Sequence, residues 1–153
     1  MIHPNFKEYL PSYYFSTINP HAAYPKLEGR LKTETCVIGG GLTGLCTALP
    51  LAENGREVTV LEAARIGFGA SGRSGGQVIS DYACGMEEIE KQVGLEQARW
   101  FWQQSLQAVE LVDERVKKHQ ISCDWQRGYA TVAIRPQHWE ELQQWHEHAR
   151  QHY

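Results

Sequence analysis

Three groups of residues have the types and spacing to do chemistry, and that chemistry is ligand binding through backbone amides and one carboxylate. Gly39, Gly41 and Gly44 stand in G-x-G-x-x-G order within Thr35-Cys36-Val37-Ile38-Gly39-Gly40-Gly41-Leu42-Thr43-Gly44. In a strand–turn–helix unit, Gly39 permits the tight turn. Gly41 lets a pyrophosphate approach the backbone, and Gly44 lets the helix pack close to the strand. The first amides of such a helix lack intrahelical partners and sit at the positive end of its dipole, so a diphosphate supplies both acceptors and charge. The second group is Glu62, 23 residues after Gly39, where a carboxylate would accept hydrogen bonds from a ribose. The third is a loop with five glycines in ten positions, Gly67 to Gly76, carrying Ser71, Arg73 and Ser74, with Arg65 just before it. Such a loop offers many backbone N–H groups to an anion or a ring system.

The elements around these residues agree. Cys36, Val37 and Ile38 predict a short buried strand. Leu45, Ala48, Leu49, Leu51 and Ala52 recur at helical spacing, and Gly55 stops that helix. Glu57-Val58-Thr59-Val60-Leu61 reads as a second strand. The spacing thus predicts an α/β, Rossmann-like βαβ unit for an adenine dinucleotide. Pro50 conflicts with its helix, since proline removes one backbone bond and clashes with the preceding turn at about 3 kcal/mol. A kink over 46–50, or lowered stability, is expected.

Composition narrows the class. The chain has 153 residues, 42% hydrophobic and 22% charged, with a net charge of −3. That is enough chain for a domain with its own core, and it carries no excess of positive charge for nucleic acid or an anionic membrane. No apolar run approaches the roughly 20 residues of a membrane span, and the first residues lack a signal-peptide pattern. Cys36, Cys46, Cys84 and Cys123 form no C-x-x-C pair, which fits a reducing cytoplasm.

Outside the unit, Pro4, Pro11, Pro20 and Pro25 make residues 1–33 irregular, with Tyr13-Tyr14-Phe15 lying across the surface of the later domain. Met86-Glu87-Glu88-Ile89-Glu90 opens a short helix ending near Gly94. Leu95, Ala98, Trp102, Leu106, Val109, Val112 and Val116 stripe a long one over 95–119. Trp100, Phe101 and Trp102 read as packing residues. Residues 123–126 and 129–134 read as two strands of a hairpin. Pro136 opens a last helix with Trp139, Leu142 and Trp145 or His146 inward. His148 and His152 have metal-ligand spacing, but no Cys or carboxylate constellation supports a site, so a solvated face is expected and no metal.

The run from Ser12-Tyr13-Tyr14 through 37–44 to Leu61-Glu62-Ala63-Ala64-Arg65-Ile66-Gly67-Phe68-Gly69-Ala70-Ser71-Gly72-Arg73-Ser74-Gly75-Gly76-Gln77 resembles the N-terminal part of FAD-dependent amine oxidases. These are the superfamily of D-amino-acid oxidase, glycine oxidase and sarcosine oxidase. Within it the chain is most similar to gamma-glutamylputrescine oxidases of putrescine catabolism. The resemblance implies FAD as cofactor and a small amine as substrate. The carbon beside the amine is oxidised, the imine hydrolyses, and electrons pass on to oxygen. It also implies the site. Gly39, Gly41, Leu42, Thr43 and Gly44 would surround the pyrophosphate. Glu62 would bind the adenosine ribose, with Ala63 and Arg65 beside the adenine. Ala70, Ser71, Arg73, Ser74, Gly75, Gly76 and Gln77 would run along the diphosphate and ribityl chain. Ser74 departs from the family's more frequent asparagine, and Pro50 from a non-proline residue.

The sequence falls into three divisions: an irregular segment 1–33, a FAD-binding portion 34–85, and helices with the start of a substrate-binding portion over 86–153. No third strand for the dinucleotide unit is visible in 78–153, and the resembled oxidases are more than twice as long. The expectation is therefore an N-terminal fragment, inactive alone, with no catalytic residue identifiable and the oligomeric state unknown. Two other readings share part of the pattern. An NAD-binding dehydrogenase domain would use the same glycines and Glu62, but leaves the 67–77 loop unexplained. A non-catalytic remnant would retain the motif without holding a cofactor.

Overall fold

The computed structural model describes residues 12–18 and 24–153, so the expected interruptions at Pro4, Pro11 and Pro20 lie outside the described residues. The chain divides into two compact units, one ending at Gln77 and one spanning Val78–Tyr153.

The first unit begins with a single helical turn, α1 (Tyr13–Ser16), capped by the Ser12 hydroxyl, which accepts from the Phe15 amide at 3.1 Å. β1 (Thr35–Ile38), α2 (Leu42–Glu53) and β2 (Val58–Leu61) come next, then a 3-10 turn (Ala70–Arg73). β1 and β2 pair in parallel, Thr35 opposite Val58 through Ile38 opposite Leu61. A parallel pair needs a crossover, and α2 supplies it. The result is a small mixed α/β unit with a two-stranded sheet among the described residues. Val37 lies on the face that α2 covers, 3.5 Å from where a side chain on Gly44 would begin, and Ala48 of α2 is buried. Cys36 and Ile38, one residue out of phase, are exposed on the opposite face.

α2 runs through Pro50 as one helix, with no break. Pro50 falls in the last turn, and its carbonyl accepts from both the Asn54 amide (3.1 Å) and the Asn54 side chain (2.7 Å). Gly55 then turns left-handed at φ 78°, with its own amide on Ala52 and that of Arg56 on Leu51. This paired closure satisfies the last carbonyls and ends the helix where Gly55 was expected to end it.

The second unit is built on α3 (Met86–Lys118) and α4 (Pro136–His152). Gly94 interrupts α3 at φ 80°, ψ 162°, so the expected short and long helices abut there. Acidic Glu87 and Glu88 open α3 and basic Arg115, Lys117 and Lys118 close it, each complementing the helix dipole. Gln120 takes the left-handed closing position (φ 50°) that a glycine fills after α2. Ala98 is fully buried on the expected stripe. Phe101 packs edge-on against Tyr82, and Trp102 against Tyr153, in packing roles.

The expected hairpin over 123–126 and 129–134 does not form; no strand lies between α3 and α4. Its side chains are drawn to α3 instead. Asp113, nearly buried, accepts from the Trp125 indole (2.7 Å), from Lys117 (2.7 Å) and from Arg127, which also reaches Glu110. Positive φ at Asp124 and Gly128 bends the segment away from a flat ladder. Arg127 first, and then Lys117, holds the Asp113 carboxyl well below the usual carboxylate range. α4 begins at Pro136 as expected, but Trp139 and Trp145 face solvent and Leu142 is half-buried. No described helix is long and apolar enough to cross a membrane.

Candidate functional site

β1 delivers the chain into the glycine turn with its last ladder bond just past the strand, Gly39 amide to Leu61 carbonyl at 2.8 Å. Gly39 then adopts φ 106°, a conformation that side chains rarely take. The turn brings α2 so close that a Cβ on Gly44 would lie 1.9 Å from the Gly39 carbonyl oxygen. Gly44 thus has the expected role, with the carbonyl of the first motif glycine as the approaching atom.

Glu62 sits directly after β2 and joins this turn. One carboxylate oxygen accepts from the Gly40 amide at 2.7 Å, and the other from the Ala64 amide at 2.9 Å. The Gly40 carbonyl accepts from the Gly67 amide at 2.9 Å. Gly40 is therefore buried and tied on both sides, although the motif assigns it no function. The only sequence signal for it is its place in the middle of three consecutive glycines. A Cβ there would lie 2.5 Å from the Ile66 side chain.

The 67–77 loop folds back onto the start of α2. The Ser71 hydroxyl accepts from the Leu42 amide at 2.8 Å, supplying a cap from 29 residues away that Gly41 cannot supply itself. Gly41 faces the same hydroxyl, and a Cβ on it would stand 3.0 Å from Ser71 Oγ. Gly72 packs against Gly67, where a Cβ would lie 2.1 Å from the Gly67 carbonyl oxygen. Beyond the 3-10 turn, the Ser74 hydroxyl accepts from the Gly76 amide at 3.3 Å.

Gly39, Gly41, Leu42, Thr43, Gly44, Glu62 and Ser71 are thus gathered around one helix start. Ala63 and Arg65 come directly after Glu62, and both are exposed. Ala70 and Arg73 bound the 3-10 turn, while Ser74, Gly75, Gly76 and Gln77 continue from it as exposed backbone. The donors suit a diphosphate. Helix geometry leaves the Thr43 and Gly44 amides no intrahelical acceptor, beside a space that a side chain at Gly41 would enter. Ser71 already fills part of that role as a neutral oxygen on the Leu42 amide. The shifted ionisable groups, Glu90, Asp113, Arg127 and Tyr153, all belong to the second unit. Among the described residues no group of three or more His, Cys, Asp or Glu side chains could hold a metal ion. His148 instead pairs through Nε2 with Glu90 at 2.7 Å.

Comparison with known proteins identifies the chain's family and relatives. Residues 34–153 match the DAO family, described as FAD dependent oxidoreductase. A probable oxidoreductase OrdL of Haemophilus influenzae is 45% identical over 142 residues, covering 93% of this chain and 33% of that protein. The gamma-glutamylputrescine oxidoreductase of Escherichia coli is 44% identical over 127 residues, covering 83% of this chain and 30% of that protein. A probable oxidoreductase OrdL of Rhizobium meliloti is 35% identical over 121 residues, 79% of this chain and 28% of its own length. The chain therefore spans about a third of the length of these curated relatives. No solved structure matches it.

Proposed function

We propose, from the premise that the chain belongs to the family of FAD dependent oxidoreductases, that its first unit holds the adenosine diphosphate part of FAD in the cradle at the start of α2. FAD is the family's cofactor. Gly39, Gly41, Leu42, Thr43 and Gly44 take the pyrophosphate, Glu62 the adenosine ribose, and Ala63 and Arg65 the adenine side. Residues Ala70, Ser71, Arg73, Ser74, Gly75, Gly76 and Gln77 line the course toward the flavin. The observation that carries this reading is the convergence of Glu62 and Ser71, from two separate segments, on consecutive parts of one glycine turn.

When bound, FAD supplies the two-electron acceptor for oxidation of a carbon beside an amine nitrogen. The chain's own residues bind and orient; none of them is assigned a proton transfer. The substrate proposed is a small amine of the gamma-glutamylputrescine type, within putrescine catabolism, supported by the 44% identity to the Escherichia coli protein. A cytoplasmic setting belongs to the same proposal, in keeping with four cysteines of which none is disulfide-bonded. The NAD reading is weaker because it gives the 67–77 loop no task.

Titration with FAD, followed by the visible spectrum and flavin fluorescence, tests the site. The expected result is saturable binding that NADH does not displace and that Gly41→Val abolishes, because a branched side chain would push on Ser71 and fill the pyrophosphate approach. A colourless protein that retains no added FAD, or an unchanged FAD affinity in Gly41→Val, would sink the assignment.

A further inference from the structure

α1 lies outside the motif that defines the cradle, yet it packs on the 3-10 turn that bears Ser71 and Arg73. Its geometry is held by more than its own short helix. The Ser12 hydroxyl caps the Phe15 amide, and the Ser16 and Thr17 hydroxyls both donate to the Tyr13 carbonyl, at 2.7 and 3.1 Å. The Tyr14 side chain reaches from this turn to the loop beyond the 3-10 turn. Its hydroxyl stands 3.9 Å from the point where a side chain on Gly75 would begin, and the Gln77 carboxamide oxygen stands 3.6 Å from that same point. A phenol O–H and a carboxamide therefore both approach the space that a side chain on Gly75 would occupy.

The glycine at 75 is informative because the backbone does not demand it. Gly76 beside it has φ 72°, whereas the conformation at Gly75 is open to any residue. A methyl group there would meet its neighbours only at ordinary contact distance. What glycine preserves at this position is open space beside Tyr14 and Gln77. Both polar groups are exposed enough to be reached, Tyr14 at 40%. A phenol hydroxyl can donate and accept, and a carboxamide offers both donors and an acceptor. That combination matches a chain of hydroxyl groups better than it matches a phosphate, which only accepts.

We propose that Tyr14 is a ligand-binding residue that, with Gln77, recognises the polyol chain of the bound flavin nucleotide across the open face of Gly75. This inference rests on the FAD reading above and extends the site into the segment before β1. Tyr14 is a binding and positioning residue and takes no part in bond making.

The test uses the full chain, two ligands and two substitutions. FAD carries the polyol; ADP carries only the adenosine and diphosphate. Tyr14→Phe removes one hydrogen-bonding oxygen and should weaken FAD binding about 5–10-fold, the worth of one neutral hydrogen bond, with ADP affinity unchanged. Gly75→Ala should leave circular dichroism and thermal unfolding as they were, weaken FAD and spare ADP. Equal FAD affinity in the wild type and both variants would overturn the role of Tyr14 while leaving the FAD site standing. Parallel loss of FAD and ADP in Tyr14→Phe would show that α1 acts only by supporting the loop, and would also overturn it. A wild-type chain that binds neither ligand removes the FAD reading itself, and this proposal with it.

Discussion

Replacement of Gly44 by alanine adds one methyl group where α2 approaches the glycine turn most tightly among the described glycines. The added carbon would lie 1.9 Å from the Gly39 carbonyl oxygen and 3.0 Å from its carbon. Relief to an ordinary contact needs a retreat of about 1.5 Å, and the obstructing atoms are main chain, so no rotamer change can absorb it. α2 has to lift from β1, loosening the packing over Val37 and drawing the Leu42 amide from Ser71. Overpacking of this kind costs about 1–3 kcal/mol, against about 0.5–1 kcal/mol returned by alanine's better helix propensity. The expected net loss is therefore on the order of 1–2 kcal/mol, with weaker FAD binding as the amides move. Urea unfolding by circular dichroism measures the first effect and FAD titration the second. Gly69→Ala compares a site without a steric conflict, since its Cβ meets nothing within 4 Å, but its φ −79°, ψ −142° lies outside the ordinary extended region. A Gly44→Ala protein as stable as the wild type would refute the close-approach argument.

Three further outcomes are expected. Glu62→Ala removes the acceptor shared by the Gly40 and Ala64 amides and should cost about 1–3 kcal/mol, seen as lower urea resistance and faster hydrogen exchange at Gly40. Asp113 has its folded-state pKa depressed, so its contribution is present above the ordinary carboxylate pKa of 3.8 and is lost as pH falls below it. Acid unfolding of the wild type should therefore be steeper below pH 4 than that of Asp113→Asn, which is weaker at neutral pH and flatter in acid. Gln120→Gly should stabilise by about 1 kcal/mol, because glycine takes the left-handed helix-closing position without strain; thermal denaturation would register a higher midpoint.

The local code of the first unit was legible. Apolar spacing and glycine position mark β1, α2 and β2, because each arises from side-chain periodicity and backbone freedom within a few residues. Gly55 and Gly94 were legible for the same reason: each occupies a conformation other residues resist. What escaped depended on partners distant in sequence. The 123–134 segment has strand-like composition, yet Trp125 and Arg127 answer to Asp113 on α3, which no local pattern reports. Pro50 marks a weak point by residue type, yet α2 continues through it to Glu53 because it falls in the last turn. Glu62 was marked as a ribose partner, but its grip on the Gly40 amide joins segments 22 residues apart and is visible only once β1 and β2 pair.

The two bonds that shape the cradle, Gly40 to Glu62 and Leu42 to Ser71, close loops of 22 and 29 residues. The receptor surface therefore does not exist in an unfolded chain, and the cost of closing those loops is met before any ligand arrives. Ligand binding and folding of the first unit are then a single linked equilibrium. Cofactor at 100 times its dissociation constant would add about 2.7 kcal/mol to the stability of the folded unit, and its apparent affinity would fall in proportion to the fraction of chains folded. On the proposed site, cofactor binding would stabilise the folded first unit.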